Sequence, residues 1–458
     1  MCGIFGIYKH KDAARLAYLG LYALQHRGEE SAGIITYDGR KVCQHKGMGI
    51  VGDVFDEKAI KSLRGDLAVG HIRYSTTGIS HIKNVQPFMV QHKKDHIAIA
   101  HNGNLTNTLQ LRQTLEARGS IFQSTMDSEI IVHLLAQSEE GNIKQRVARA
   151  LSKLQGAYSI ALMMNDVLIG ARDPHGWRPL CIGRLDGAYV LASETCALDL
   201  IQAEYVRDVQ PGEIVFISNR GLESIKPFAP AKHSLCIFEY IYFARPDSGI
   251  FTKNVYQTRK RLGRQLAREC PADGDLVMPV PDSGNYAALG FSEESGIPYE
   301  VGLIRNHYIG RTFIQPTQFI RDFRVKVKLN PIKDVLKGKR VVVIEDSIVR
   351  GTTSRVRVKT LREAGTKEIH MRVSCPPLRF PCYYGIDFPT KKELIASSHS
   401  IEWIKDFIGL DSLKYLSLEG MLDAMLLPRS EFCTACFSGE YPVKPPTRQR
   451  KNLLERAR

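Results

Sequence analysis

The pattern of apolar segments changes once along the chain, near residue 230, and this change limits the possible folds more than any other feature. From Met1 to about Pro227, short alternating segments are separated by turns, as in CGIFGIY, DLAVGHIRYS, HIAIAHNG and YSIALMM. Amphipathic stretches such as DAARLAYLGLYALQHRG and TLQLRQTLEARG lie between them, each closed by a glycine. Many short strands flanked by helices predict stacked sheets that are covered by helices.

A different pattern follows FAPAKHS (228–234), which we interpret as a linker. The apolar strands of GDLVMPVPDSG, KRVVVIEDSIVRGTT and KEIHMRVSCPP alternate with helical stretches such as YQTRKRLGRQLAREC and SRVRVKTLREAG. This alternation predicts a doubly wound parallel sheet. From about Asp387 we expect less regular helices, in KKELIASS and SLKYLSLEGMLDAML. A chain of 458 residues is expected to hold two domains, which we place at residues 2–230 and 231–458.

The charge balance is basic, with 63 Lys and Arg against 48 Asp and Glu, a formal net charge of +15. The basic residues are dispersed except in the tail TRQRKNLLERAR (447–458), so we interpret them as a basic surface with a solvated tail and expect no nucleic-acid partner. Such a balance also suits a small polyanionic substrate. No apolar run approaches the ~18 residues of a membrane span, and no secretory signal is present, so we expect no membrane segment and a cytoplasmic location.

The stretch VVVIEDSIVRGTT (341–353) is the strongest motif. A buried strand ends in two acids, Glu345 and Asp346, and a polar loop and a helix follow. The loop residues of interest are Ser347, Arg350, Gly351, Thr352 and Thr353. Backbone N–H groups and hydroxyls at a helix N-terminus bind anions, and carboxylates in front of them can hold ribose hydroxyls directly or through Mg²⁺. The alternative is a generic strand-to-helix turn with a capping serine.

This stretch resembles the phosphoribosyl pyrophosphate (PRPP) motif of type I phosphoribosyltransferases. The resemblance implies that Glu345 and Asp346 lie near the ribose and its Mg²⁺, and that the loop binds the 5′-phosphate. It also places the pyrophosphate at a second loop, VPDSG (280–284), on Asp282, Ser283 and Gly284, with Ser283 near Mg²⁺. The long basic segment 305–331, which includes Arg311, resembles the loop that closes over PRPP in that family.

The first residues, MCGIFG, place a cysteine directly after the initiator methionine. A second residue this small permits removal of Met1, which would leave a thiol and a free α-amine on Cys2. A thiol needs a base to become a nucleophilic thiolate, and an α-amine with a pKa near ~8 is a suitable one. The sequence therefore raises the hypothesis that Cys2 is a nucleophile activated by its own amine.

Four further stretches, QHRG (25–28), HIRYSTTG (71–78), HNGNL (101–105) and MDSE (126–129), resemble, together with MCGIFG, the glutamine amidotransferases of the N-terminal nucleophile hydrolase type. The resemblance implies an αββα sandwich in which Cys2 attacks glutamine. Asn102 and the backbone N–H of Gly103 would hold the oxyanion. Arg73 would bind the carboxylate of glutamine and Asp127 its ammonium group, while Arg27 and Thr76 fall in binding stretches. Taken alone, Asn102 is typical of a turn and Asp127 of a helix cap.

Ten cysteines in a chain expected to be cytoplasmic argue against a disulfide framework. FCTAC supplies Cys433 and Cys436, and Cys236 and Cys382 lie in HSLCIFEY and PCYYGIDFP. On spacing alone, four such cysteines suit zinc or an iron–sulfur cluster equally. The flanking phrases resemble the iron–sulfur-bearing branch of the glutamine PRPP amidotransferases, which implies a 4Fe–4S cluster and favours Cys382 over its rival Cys375.

The combined resemblance implies that glutamine, PRPP and water are converted to 5-phosphoribosylamine, glutamate and pyrophosphate, the committed step of purine nucleotide synthesis. Ammonia released at Cys2 would pass internally to the PRPP site. The resemblance also implies Mg²⁺ and a 4Fe–4S cluster as cofactors, inhibition by purine nucleotides, and a homo-tetramer. The alternatives are a different acceptor, as in glucosamine-phosphate or asparagine synthesis, and a PRPP- or nucleotide-sensing regulator on an inactive scaffold.

Overall fold

The computed structural model describes residues 1–75, 78–138, 141–306, 329–388, 390–445 and 453–455. Two of the predicted site residues, Thr76 and Arg311, lie outside the described residues. So do residues 307–328 of the segment expected to close over PRPP and most of the C-terminal tail.

Thirteen strands in the first half form two antiparallel sheets. In chain order they are β1 (Gly3–Tyr8), β2 (Ser31–Tyr37), β3 (Val42–Met48), β4 (Leu67–Arg73), β5 (Phe88–His92), β6 (Asp95–Leu105), β7 (Gly156–Met164), β8 (Val167–Arg172), β9 (Cys181–Leu185), β10 (Ala188–Ala192), β11 (Glu204–Asp208), β12 (Ile214–Ser218) and β13 (Gly221–Ile225). The first sheet has the order β11-β9-β10-β1-β4-β2-β3 and the second β13-β12-β8-β7-β6-β5.

The two sheets pack face to face and carry helices on their outer faces. Ile4 and Val69 of the first sheet share one apolar cluster with Ala161 and Leu168 of the second. Because side chains alternate along a strand, Phe5 points the other way and packs with the first helix. The helices are α1 (Ala13–Ala23), α2 (Val51–Val54), α3 (Glu57–Ser62), α4 (Thr108–Ala117), α5 (Ser128–Gln137), α6 (Ile143–Leu151) and α7 (Thr195–Leu200). The expected αββα sandwich is confirmed.

The second half is built on a parallel sheet of the order β17-β20-β21-β22. The strands of the second half, of which four form this sheet, are β14 (Leu235–Cys236), β15 (Gly249–Ile250), β16 (Lys253–Asn254), β17 (Leu276–Pro279), β18 (Leu303–Arg305), β19 (Leu329–Pro331), β20 (Arg340–Glu345), β21 (Glu368–Val373), β22 (Ser412–Tyr415) and β23 (Phe432–Cys433). Its helices are α8 (Val255–Glu269), α9 (Asn285–Ser295), α10 (Lys333–Leu336), α11 (Thr352–Glu363), α12 (Ile401–Ile408), α13 (Leu418–Ala424) and α14 (Ala435–Ser438). The predicted parallel α/β architecture is confirmed.

One of the two local predictions after Asp387 is wrong. KKELIASS forms two short 3₁₀ helices, Lys391–Glu393 and Ile395–Ser397, as expected for a less regular helical segment. In SLKYLSLEGMLDAML only Leu418–Ala424 is helical, because SLKY pairs as β22 with the edge of β21. Among the described residues, no helix combines the length and the apolar character that are needed to cross a membrane.

Candidate active sites

Cys2 lies at the start of β1, where both ends of its peptide unit are held by side chains. Its backbone N–H donates to Asn102 Oδ1 at 3.1 Å, and its carbonyl accepts from Arg27 Nε at 2.9 Å. The thiol donates to the carbonyl of Tyr74 at 3.6 Å. Met1 is present and 1% exposed, so the nitrogen of Cys2 is a peptide nitrogen here. Removal of Met1 would convert it to the free amine that the sequence hypothesis needs.

Asn102 lies in the middle of β6, opposite Ser159 of β7, and not in a turn. Its side chain is buried, and its Nδ2 donor has no hydrogen-bond partner among the described residues. A buried amide that leaves a donor unused is costly unless a ligand accepts from it. Since Oδ1 of the same amide holds the nitrogen of Cys2, this unused donor is close to the thiol and is suited to a developing oxyanion.

The two residues predicted to bind the charged ends of glutamine are buried. Arg73 ends β4, and its Nη1 donates to the carbonyl of Ile79 at 3.0 Å. The carboxylate of Asp127 makes no capping bond on α5, and instead accepts from the N–H of Leu105 at 3.0 Å. Burial alone would raise the pKa of Asp127, but His101 and the hydrogen bonds to its oxygens bring it below its usual value. A buried cation, which also lies 3.8 Å from Glu30, and an ionised carboxylate are therefore present in this half of the chain.

Arg27, predicted to bind glutamine, is instead engaged beneath Cys2. Its guanidinium is fully buried and contacts the carbonyl of Cys2, Glu194 and Glu239. Two bonds, at 2.9 and 3.1 Å, reach the carboxylate oxygens of Glu239. Sequence reasoning missed Glu194 and Glu239. Glu194 lies in no motif, and Glu239 lies in HSLCIFEY, a phrase that was interpreted only for Cys236. The fold alone brings the two acids to Arg27.

Glu345 is the last residue of β20 and Asp346 follows it, at the carboxyl edge of the parallel sheet. Asp346 accepts short hydrogen bonds from the hydroxyls of Ser283 and Ser347, which joins the two predicted PRPP loops. Glu345 accepts from Arg357 Nη1 at 2.6 Å. Burial raises the pKa of Glu345, Arg357 lowers it, and the neighbouring charge of Asp346 raises it. The net result is a pKa of about 7. Burial also raises the pKa of Asp346.

The loops around these acids place backbone N–H groups at two helix N-termini. Gly284 precedes α9, and Gly351, with φ of 71°, precedes α11. A side chain at residue 351 would adopt a strained left-handed conformation and meet Ile395 at 2.8 Å. The Arg350 guanidinium forms a short ion pair with Glu393. Arg305 likewise forms a short ion pair with Asp282 of the second loop, 280–284.

The acids line a cavity of about 670 Å³ together with His26, Arg245 and Ser283. A second cavity of about 370 Å³ shares Glu345 and Asp346. Residues 347 and 349–354 of the phosphate loop line it, and so does Tyr74. The two cavities together could enclose a ligand with several anionic groups on either side of the paired carboxylates.

Four cysteines line one small enclosed cavity. Cys236 and Cys433 are opposite each other in the β14–β23 pair, and Cys382 and Cys436 complete the set. Burial raises the pKa of Cys236 to about 11 and that of Cys433 to about 12. Among the described residues, no three His, Cys, Asp or Glu side chains lie close enough to hold a single metal ion. The rival, Cys375, is buried in the same apolar cluster as Cys236 and Cys436 but does not line this cavity, and its thiol donates to the Pro376 carbonyl.

The described part of the C-terminal tail is not solvated as expected. The carboxylate of Glu455 accepts from the N–H of Ile79 at 3.2 Å and from the hydroxyl of Thr125, and Lys83 lies 3.4 Å away. This contact draws the tail onto the segment that follows Arg73. The sequence did not indicate this contact, because Glu455 is a single acidic residue in a basic tail.

The sandwich with Cys2 at its head and the parallel sheet with its acid-lined phosphate loop define the class, a glutamine amidotransferase joined to a phosphoribosyltransferase. A family model described as a glutamine amidotransferase domain matches residues 71–200. The chain is 51% identical to the amidophosphoribosyltransferase of Synechococcus elongatus, covering 99% of this chain and 93% of that one. It is 49% identical to that of Archaeoglobus fulgidus, with 97% and 99% covered.

Among solved structures, the glutamine PRPP amidotransferase of B. subtilis, complexed with ADP and GMP, superposes with a TM-score of 0.92. The two sequences are 47% identical, and the match covers 97% of this chain and 98% of that one. The chain therefore belongs to the amidophosphoribosyltransferase family. It is a transferase of the enzyme class that carries out the first step of purine nucleotide biosynthesis.

Proposed function

We propose that the chain uses glutamine and water to convert PRPP to 5-phosphoribosylamine, with release of glutamate and pyrophosphate. The observation that carries this proposal is the unused Nδ2 donor of Asn102 beside Cys2, in a chain that also holds the acid-lined cavity. We assign residues 2–230 to the glutaminase domain and residues 231–458 to the transferase domain. The sheets of the sandwich end at Ile225, and β14 begins at Leu235, which supports this division.

In the first stage, the Cys2 thiol gives its proton to its own α-amine, and the sulfur attacks the side-chain amide of glutamine. Asn102 Nδ2 and the N–H of Gly103 hold the oxyanion. Arg73 binds the carboxylate of glutamine and Asp127 its ammonium group, with Thr76 as a further binding residue. The α-ammonium then returns its proton to the amide nitrogen, the C–N bond breaks, ammonia leaves, and water hydrolyses the glutamyl thioester to glutamate. Arg27 holds the Cys2 carbonyl, so we assign it to positioning instead of to direct glutamine binding.

In the second stage, ammonia attacks C1 of PRPP, and the bond from C1 to the pyrophosphate oxygen breaks. Glu345 and Asp346 hold the ribose side of PRPP. The loop residues Ser347, Arg350, Gly351, Thr352 and Thr353 bind the 5′-phosphate, and Asp282, Ser283 and Gly284 bind the pyrophosphate, with Arg311 contributing from the closing segment. Tyr74 accepts from the Cys2 thiol and also lines the transferase cavity, which supports internal transfer of ammonia.

The residues around Asp346 fit a Mg²⁺ ion that arrives with PRPP. Magnesium is commonly held by one or two carboxylates plus substrate phosphates, instead of by an all-protein cage. Ser283, Glu345 and Asp346 supply oxygen atoms at one edge of the sheet, and the hydroxyl of Ser283 already touches Asp346. When bound, Mg²⁺ would neutralise the charge of the departing pyrophosphate.

The four cysteines fit a 4Fe–4S cluster better than zinc. Cys236, Cys382, Cys433 and Cys436 line one cavity, although no three of them lie close enough for a single ion. A four-iron cluster holds its ligands farther apart than one ion does, and it would stabilise thiolates that burial disfavours. The segment with Cys382 also contacts the glutaminase domain, since Asn104 donates to the Tyr383 carbonyl at 2.9 Å. We therefore propose a structural role for the cluster.

The test of the proposed function is PRPP-dependent glutamate release by anaerobically purified protein, measured together with its iron and sulfide content. The proposal expects glutamate, pyrophosphate and phosphoribosylamine in equal amounts, and about four irons per chain. Glutamate release that is equal with and without PRPP contradicts coupling of the sites. Binding of PRPP without any product supports the regulator instead. Inhibition by purine nucleotides, a homo-tetramer and a cytoplasmic location stay predictions.

Asn102→Ala is expected to reduce glutamine-dependent turnover about 10²–10³-fold, because one oxyanion donor is lost. The loss should fall mainly on kcat, since the donor binds the transition state better than glutamine. Steady-state kinetics with glutamine measure both constants. Asn165→Ala, in the turn between β7 and β8, is the control and should keep wild-type turnover. An increase in the KM for glutamine with unchanged kcat would contradict the oxyanion role.

The KM for PRPP is expected to fall as the pH rises from about 6 to 8 and then to level off. The pKa of Glu345 is raised to about 7, so the group is protonated below that pH and ionised above it. Ribose hydroxyls and Mg²⁺ require the ionised form, so binding should strengthen as the proton leaves. Glu345→Gln should weaken binding and flatten this profile. A wild-type profile without an inflection near pH 7 would contradict the role of Glu345.

A further inference from the structure

Glu194 is a fully buried carboxylate that follows β10 and accepts hydrogen bonds from both halves of the chain. From the glutaminase half, His26 and Arg27 contact its Oε1. From the transferase half, the Ser248 hydroxyl donates to Oε2 at 2.7 Å, and the N–H of Arg245 donates to the same oxygen at 2.9 Å. The Cys196 thiol also donates to Oε2, at 3.8 Å. A buried charge that is satisfied by these donors is a rigid junction between the elements that supply them.

The His26 side of this junction faces the transferase cavity. Its Nε2 lies 2.8 Å from Glu194 Oε1, and it must donate because the carboxylate only accepts. The imidazole is 24% exposed and lines the 670 Å³ cavity together with Arg245 and Asp346. A ligand in that cavity can therefore reach His26 and Arg245, two of the residues that are bonded to Glu194.

The Arg27 side of the junction reaches the nucleophile. Arg27 Nη1 contacts Glu194, while Nε of the same planar guanidinium donates to the Cys2 carbonyl at 2.9 Å. The two bonds are linked through one rigid plane, which Glu239 also holds at Nη2, so a shift of Glu194 changes how Nε meets the Cys2 carbonyl. The next residue, Gly28, packs against the Arg73 backbone, where a Cβ would come within 2.6 Å. The turn 25–28 thus touches the transferase cavity, Cys2 and Arg73 within four residues.

We propose that Glu194 is a positioning residue through which an occupied PRPP cavity aligns Cys2 for attack on glutamine. The proposal rests on the proposed function, since it assumes that PRPP binds beside His26. PRPP fixes His26 and the 243–246 segment, these fix Glu194, and Arg27 then holds the Cys2 carbonyl in the reactive orientation. Glu194 itself touches no substrate.

The test uses the Glu194→Gln variant of the full chain. A glutamine side chain at residue 194 has the same shape as the glutamate, but it places an amide N–H₂ against donors on one side of the junction. We expect the stimulation of glutamate release by PRPP to fall at least about tenfold, the rate equivalent of one charge-assisted hydrogen bond. The loss should appear in kcat for glutamine at saturating PRPP. Synthesis from ammonium, which bypasses Cys2, should fall much less.

Glu213→Gln is the matched control. Glu213 is also a buried glutamate of the same half, 3% exposed, and it is bonded to Arg207 at 2.8 Å and to the N–H of Gln210 at 2.7 Å. It has no contact with the turn 25–28, so Glu213→Gln should keep full stimulation by PRPP. If Glu194→Gln does not fold, the His26→Asn variant tests the proposal in its place, because His26 is partly exposed and its replacement removes only one donor to Glu194.

Stimulation of Glu194→Gln or His26→Asn by PRPP to the wild-type extent would overturn the proposal. It would also be overturned by equal losses of the glutamine and ammonium reactions, or by the same loss in Glu213→Gln, since these indicate general damage to the fold. A wild-type protein without stimulation by PRPP overturns the proposed coupling itself. That outcome is seen in the wild type, before any substitution is made, so it can be distinguished from a failure of the role proposed for Glu194.

Discussion

Replacing Cys2 with alanine is expected to abolish the reaction with glutamine, by at least about 10³-fold, while synthesis with ammonium continues. The reason is that the thiol acts only in the release of ammonia, and ammonium salts supply ammonia directly to the transferase cavity. The peptide unit of Cys2 is held through its backbone, so its bonds to Asn102 and Arg27 can persist in the variant. Pyrophosphate release with each nitrogen donor is the measurement.

Cys43→Ala is the control for this experiment. Cys43 lies in β3 of the same sheet, partly buried and at a distance in sequence from every predicted site residue. This variant should retain both reactions. If Cys2→Ala loses the glutamine and ammonium reactions together, Cys2 is needed for the structure of both sites, and its assignment as nucleophile fails. Mass spectrometry of the active protein should also find Cys2 as the first residue.

Replacing Asp346 with asparagine is expected to reduce synthesis of phosphoribosylamine about 10²–10³-fold with glutamine and with ammonium alike, through the loss of one charge that binds the ribose and Mg²⁺. Asp346 accepts from the hydroxyls of Ser283 and Ser347, so an amide would place a donor against one of them. Pyrophosphate release at saturating PRPP measures the loss of turnover, and titration with PRPP measures the loss of affinity.

Asp275→Asn is the matched control for the opposite end of the same sheet. Asp275 accepts from the backbone N–H of Arg340 at 2.8 Å and from its Nη2 at 2.9 Å, where β20 begins. The exposed ion pair that it forms contributes little, so activity should stay near that of the wild type. Equal losses in Asp275→Asn and Asp346→Asn would mean that the sheet tolerates no such change, and the specific role of Asp346 would be refuted.

Much of both sites was predictable, because each depends on residues that are close in sequence or at the ends of strands. Glu345 and Asp346 are consecutive, and the edge of a parallel sheet brings VPDSG beside them. The same reasoning could not find Glu194 or Glu239. Both are ordinary acids in the sequence, and they acquire a role only where distant segments enclose Arg27.

The wrong prediction of secondary structure lies in the C-terminal region. The pattern of SLKYLSLEGMLDAML predicts a helix, but the backbone of SLKY pairs with β21, because a free sheet edge outweighs weak helical periodicity. The position of Glu455 is a similar case, since its partners Ile79 and Thr125 lie more than 300 residues away. Contacts between residues this far apart in the sequence cannot be predicted from the local pattern of residue types.

The burial of Met1 determines when the chain can mature. Its side chain is 1% exposed and belongs to the apolar cluster of the second half, with Leu235 and Phe238 among its members. A peptidase that trims initiator residues needs a free chain end, so trimming must take place on the emerging polypeptide, before the later segments close over it. For the same reason, recombinant protein with a purification tag in front of Met1 should lose the reaction with glutamine, because Cys2 stays without a free amine, and should keep the reaction with ammonium.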